Sequence, residues 1–125
     1  MKKVTVKFSA STDNIETFVT EKFDGLDDAT LASLHENIGT NITNGNIWLR
    51  HYCIEGSQAH IVYVLDDNDA VAAVQPALTL MAGLDGYVET VTEDMTFDAF
   101  SSYAATHPET EIEHARKTAL DEAAK

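Results

Sequence analysis

The chain has 125 residues, of which 44% are apolar and 23% charged, and 21 acidic against 8 basic residues give a net charge of -13. This length supports one domain around a single core. The acidic balance repels phosphate backbones and argues against nucleic acid as a partner, whereas it favours either solubility or attraction of cations.

The number of cysteines and the hydropathy of the chain indicate the cellular compartment in which we expect this protein. The single cysteine excludes an internal disulfide and fits a reducing compartment, so we expect a cytoplasmic protein. The first residues, MKKVTVKFSAS, have no apolar stretch of the kind a signal peptide needs. Nothing approaches the roughly 20 consecutive apolar residues of a membrane span, so no membrane association is expected.

The first segments alternate between apolar and polar residues. In KKVTVKFSA, Val4, Val6 and Phe8 alternate with Lys and Thr, which predicts a half-buried strand. In IETFVTEKF, Ile15 and Phe23 fall on one face of a second alternating segment. We predict that this second segment is the first strand of the main sheet, which makes the earlier strand an N-terminal addition.

A helix is predicted next, over DGLDDATLASLHENIG. Asp27 suits the N-cap, and Leu26 and Leu31 have hydrophobic-staple spacing. Leu31, Leu34 and Ile38 form its apolar stripe, and Gly39 is predicted to end it.

A hairpin follows. The segments IWLRHYCIE and QAHIVYVLD flank Gly56-Ser57, a two-residue loop with Gly first, as a type II′ turn requires. Pairing across this loop places Cys53 opposite His60 and His51 opposite Val62.

The remaining elements are a helix, a strand and a helical tail. Asp67 or Asn68 should cap a helix that ends at Gly83, and Pro76 predicts a kink or a break into two helices. A last strand is expected over residues 86–92. In the tail, one helix is expected to start at Thr96 as its N-cap, and a second, weakly apolar helix is expected to start at Pro108.

This order predicts an α+β fold. Residues 15–93 have the strand-helix-strand-strand-helix-strand order of a ferredoxin-like (βαββαβ) antiparallel sheet with two helices on one face. We expect one domain over residues 1–125, with an extra N-terminal strand and a helical tail over residues 94–125.

The hairpin carries the candidate metal site. Residues two apart share a face of a strand, so His51, Cys53 and His60 should project from one side of the hairpin. Directly opposed Cβ atoms lie about 5 Å apart, close enough for two side chains to share one ion. Imidazole and thiolate suit zinc, nickel or copper. The alternative is that Cys53 packs as a small apolar residue and the histidines are structural.

The other face of the hairpin carries a candidate ligand site. Trp48, Arg50, Tyr52 and Tyr63 lie there in the predicted register. Arg50 with Tyr52 and Tyr63 would suit an anionic or aromatic small molecule. These residue types are also favoured in the cores of protein interfaces, so an interface is the alternative.

Three stretches resemble a known family. EKFDGLDDATLASLHENI, WLRHYCIEGSQAHIVYVLDD and MAGLDGYVETV are similar to small ferredoxin-like bacterial proteins described as nickel-binding or uncharacterised. The resemblance implies a homodimer and a divalent transition metal, nickel or zinc. The histidine in Trp48-Leu49-Arg50-His51-Tyr52 departs from the place usual in that family. Related dimeric α+β barrel proteins include cofactor-free monooxygenases, isomerases and cyclases.

Three functions therefore stay open from the sequence. The first is a non-enzymatic binder of a metal or small ligand through His51, Cys53 and His60. The second is a small cofactor-independent enzyme with His51 or His60 as general base and Arg50, Tyr52 or Tyr63 on the substrate. The third is a structural or interaction module.

Overall fold

Four strands form one antiparallel sheet in the order β2-β3-β1-β4. They are β1 (Lys2–Ser9), β2 (Ile47–Glu55), β3 (Gln58–Leu65) and β4 (Tyr87–Asp94). This computed structural model describes residues 1–23 and 25–106. Within these residues there are four helices: α1 (Ile15–Lys22), α2 (Asp28–Thr43), α3 (Asn68–Ala82) and α4 (Phe97–Thr106). The predicted α+β class is confirmed.

The first strand is central rather than additional. β1 pairs with β3 along one edge and with β4 along the other, and Val4, Val6 and Phe8 are fully buried. The prediction of an extra N-terminal strand outside a core of residues 15–93 is therefore wrong. The core of the sheet begins at Lys2.

The segment predicted as the first main strand is instead the helix α1. Ile15, Val19 and Phe23 recur every four residues, a spacing that fits both one face of a strand and successive turns of a helix. Two features decide for the helix. The Asn14 side chain accepts a hydrogen bond from the Thr17 amide as an N-cap, and Phe18 is buried, which strand alternation had placed on the polar face.

The two longer helices have the predicted N-caps. The side chain of Asp27 accepts from the Thr30 amide, and that of Asp67 accepts from the Ala70 amide. α2 runs past Gly39 to Thr43, so the predicted stop at Gly39 is wrong. α3 is one helix with Pro76 inside it and its C-cap at Gly83, which excludes the predicted break into two helices.

A bulge in β2 sends neighbouring residues to both faces of the sheet. Ile47 is paired with Leu65, Leu49 is paired with Val64, and the register shifts between them at Trp48. Ile47 and Leu65 pack in the main core below α2 and α3, whereas Leu49 and Val64 pack with Trp48 on the opposite face. The prediction that Trp48 shares a face with Arg50 is therefore wrong.

Helix α4 covers part of this opposite face. Phe100 and Ala104 are buried in one cluster with Leu49 and Val64, and the Trp48 and Phe100 rings meet edge to face at 5.8 Å between centroids. The Thr96 hydroxyl accepts from the Ala99 amide, which confirms the predicted start of this helix. The helix predicted from Pro108 lies outside the described residues.

Among the helices in residues 1–23 and 25–106, none combines the length and hydropathy needed to cross a membrane.

Candidate functional site

The β2–β3 hairpin positions the candidate site, and its turn fixes the register. Gly56 has a φ of +63°, and no non-glycine residue in the described ranges has a positive φ, so only the first central turn position is left-handed, as in a type II′ turn. Cys53 is paired with His60 and His51 with Val62. The predicted hairpin and register are confirmed.

Three side chains converge at the turn end of the hairpin. One ligand atom from each of Cys53, Glu55 and His60 lies within 4.8 Å of the others. Cys53 and Glu55 are two apart on β2 and so share a face, and His60 faces Cys53 from β3. This is a thiol, a carboxylate and an imidazole within reach of one ion.

The imidazole of His60 has an oxygen beside each ring nitrogen. Nδ1 lies 3.5 Å from Oε2 of Glu55, and Nε2 lies 3.1 Å from Oε1 of Gln58. The His60 side chain is 14% exposed, whereas that of Glu55 is 69% exposed. The ring is therefore held in place, with access from the solvent through the Glu55 side.

The electrostatics at Cys53 favour the neutral thiol. Burial raises the pKa of Cys53 above its ordinary value, the Glu55 charge adds to the rise, and Lys3 opposes it. A cation that takes the thiolate must therefore displace a proton from sulfur.

His51 belongs to a different environment from the other two predicted ligands. It is 3% exposed, and its ring meets the Tyr103 ring edge to face at 5.8 Å between centroids. It lies on the same strand face as Cys53, but the group within ligand distance contains Glu55 in its place. Of the predicted trio, the structure brings Cys53 and His60 together and leaves His51 packed below α4.

Tyr103 forms the side of the site that is nearest α4. Lys3 lies over its ring, with Nζ 4.9 Å from the centroid. Burial raises the pKa of Tyr103, and the charges of Cys53 and Glu55 raise it further. The phenol therefore stays neutral and is close enough to respond to both groups.

The predicted small-molecule residues lie on the opposite face, below the main helices. Arg50 and Tyr63 are paired across the hairpin, and the Arg50 guanidinium stands 5.9 Å from the centre of the Tyr52 ring. Tyr63 is 3% exposed and its hydroxyl contacts the Met81 sulfur at 3.9 Å. The side chains of Arg50 and Tyr52 are the more accessible part of this predicted site.

Glu55 is the residue that the sequence reading missed. In the sequence, Glu55 comes two residues after Cys53 and directly before the Gly56-Ser57 turn, so its place on the face of Cys53 could have been predicted. The predicted ligand set contains only histidine and cysteine. A carboxylate beside them completes a donor set, and it also carries the charge that attracts a cation.

Comparisons with known proteins add no family. A scan against models of protein families matches nothing, and a search of curated proteins finds no match to this chain either.

Proposed function

We propose that this chain is a small, non-enzymatic binder of a divalent transition metal ion, nickel or zinc, through Cys53, Glu55 and His60. The observation that carries the proposal is the convergence of three different ligand atoms within 4.8 Å of one another. They lie on one face of a hairpin whose turn and register are tightly specified.

The donor chemistry supports a transition metal rather than a hard cation. Thiolate and imidazole suit zinc, nickel and copper, whereas magnesium and calcium take oxygen ligands. Three protein ligands leave a coordination position for water or a small ligand.

Burial patterns support a binder over an enzyme. An acid-base role for His51 or a substrate contact from Tyr63 would need an accessible side chain, and each residue is 3% exposed. His60 is the remaining predicted base, and its two ring nitrogens already contact the Gln58 and Glu55 side chains.

The family and its assembly are part of the same proposal. Read from the other edge, the strand order is β4-β1-β3-β2, and each of the two crossovers skips one strand of an antiparallel sheet. This supports the proposed ferredoxin-like fold, and the proposed membership of the small nickel-binding bacterial group rests on the resemblance in sequence. A homodimer is the assembly that this membership implies, and light scattering on the purified chain measures it.

The decisive experiment is metal content and affinity of tag-free protein. Elemental analysis of the purified chain and calorimetric titration with nickel, zinc and magnesium should show one transition metal ion per chain and no magnesium binding. We expect weaker nickel and zinc binding in each of three variants, Cys53→Ser, Glu55→Gln and His60→Ala. The loss of affinity should be larger when the thiol or the imidazole is removed than when the carboxylate is neutralised.

A matched control separates the hairpin site from general affinity for an acidic surface. His35 is an exposed histidine on α2, next to Glu36, so His35→Ala removes an imidazole beside a carboxylate outside the hairpin. It should leave the affinity unchanged. Absence of metal, or equal weakening in His35→Ala and His60→Ala, contradicts the proposal and favours a structural or interaction module.

A further inference from the structure

We propose that Gln58 is a positioning residue that fixes the tautomer of His60, a role that rests on the proposed function. Both residues are on β3, two apart, so their side chains leave the same face of the sheet. The Gln58 carboxamide oxygen lies 3.1 Å from Nε2 of His60, while the other ring nitrogen faces the Glu55 carboxylate.

The position of the proton on the His60 ring follows from the hydrogen-bonding capacity of its two partners, Gln58 and Glu55. A neutral imidazole has one N–H donor and one lone pair, and a carboxamide oxygen can only accept. The Nε2 contact at 3.1 Å has ordinary hydrogen-bond length, whereas the Nδ1 contact with Glu55 at 3.5 Å lies at the outer limit. The Glu55 side chain is also 69% exposed, so its carboxylate is open to hydration by solvent. The hydrogen therefore lies on Nε2.

This tautomer turns the lone pair of Nδ1 toward the other two ligands. Nδ1, the Glu55 carboxylate and the Cys53 sulfur then present electron pairs to one small volume, an arrangement that a cation stabilises. In protein metal sites, a partner on the second ring nitrogen orients the imidazole and raises its basicity. Gln58 supplies that partner, and Nδ1 is the ligating atom.

The first test reads the tautomer directly in metal-free protein. Long-range proton–nitrogen correlation spectra of nitrogen-15-labelled protein distinguish the two neutral tautomers. They are recorded at about pH 8.5, two units above the ordinary imidazole pKa. The His60 signals, assigned by their loss in His60→Ala, should show the proton on Nε2. Gln58→Met removes the acceptor at similar size and should convert His60 to a tautomer mixture.

Two further variants separate positioning from packing. Gln58→Glu keeps an acceptor oxygen in place and should retain the Nε2–H form. Gln75→Met removes the carboxamide of an exposed glutamine on α3 and should leave the His60 signals unchanged. Thermal unfolding of all variants checks that each is folded when its spectrum is taken.

The second test measures affinity for nickel and zinc by calorimetry. Loss of such an orienting partner typically weakens metal binding by about 10- to 100-fold, so Gln58→Met should bind more weakly within that range. Gln58→Glu keeps the acceptor oxygen and adds a charge that attracts a cation, so it should bind at least as tightly as the parent chain. A His60 proton on Nδ1, or a tautomer that Gln58→Met does not change, overturns the role of Gln58. An Nε2–H tautomer lost in Gln58→Met, in a chain that binds neither metal, upholds the positioning role and rejects the proposed function instead.

Discussion

The imidazole of His51 lies edge to face against the phenol of Tyr103, with ring centroids 5.8 Å apart and planes at 80°. One ring comes from the hairpin and the other from α4, so this pair joins the sheet to the helix that covers it. The pair also explains why His51, which lies on the same strand face as Cys53, is a packing residue and stands outside the proposed ligand set.

Replacing His51 should therefore change stability rather than metal binding. His51→Ala removes a buried ring and its aromatic contact, which should lower the free energy of unfolding by about 1–3 kcal/mol. Urea denaturation measures that loss, and nickel titration should give an affinity within about twofold of the parent chain. A fall in affinity as large as that of His60→Ala would restore His51 to the ligand set.

Metal affinity should rise with pH. The pKa of Cys53 is raised by burial and by Glu55, so at neutral pH the thiol is protonated and binding displaces that proton. Displacement of one proton makes the apparent affinity increase about tenfold for each pH unit below that pKa. Calorimetry at several pH values measures the slope, and Cys53→Ser should flatten it. An unchanged slope in Cys53→Ser would remove the thiolate from the ligand set.

The buried Tyr63 should make the fold sensitive to alkali. Burial raises the pKa of Tyr63 well above its ordinary value of 10.0, so the folded chain keeps a phenol proton that the unfolded chain loses. The stability from this group is complete below pH 10 and falls as the pH rises, by about 1.4 kcal/mol for each pH unit. Urea denaturation between roughly pH 8 and 11 measures the slope around that pKa.

Tyr63→Phe is the matched variant for that slope. It keeps the ring below α3 and loses only the hydroxyl that contacts the Met81 sulfur. Its stability should fall less steeply above pH 10, with a residual slope from Tyr103, whose pKa is also raised. Identical slopes in the two chains would contradict the assignment.

Docking of α4 should depend on Phe100. This ring is 1% exposed and packs against Trp48, so Phe100→Ala should cost about 3–5 kcal/mol of unfolding free energy. Trp48 is the single tryptophan of the chain, and its fluorescence should shift to longer wavelength as the helix loosens.

Phe97→Ala on the same helix is the control for Phe100→Ala. Phe97 is 40% exposed, so its loss should change stability by less than about 1 kcal/mol. It should also leave the Trp48 emission in place. Equal effects of the two variants would mean that α4 is not held to the sheet through Phe100.

Local signals in the sequence determined the elements whose contacts are close in the chain. Gly56-Ser57 set the hairpin turn and register, and Asp27 and Asp67 set the starts of the two longer helices. Each depends on atoms a few residues apart, so pattern and side-chain chemistry were sufficient. The pairing of Cys53 with His60 followed from the turn alone.

Only the tertiary structure decided the rest. Residues 15–23 had a four-residue spacing that fits a strand or a helix, and burial of Phe18 in the core selected the helix. β1 is central because distant β3 and β4 both pair with it. His51 became a packing residue through α4, which joins it some fifty residues later in the chain at Tyr103. Contacts of this kind leave no local pattern, because the energy that selects them comes from side chains far apart in the sequence.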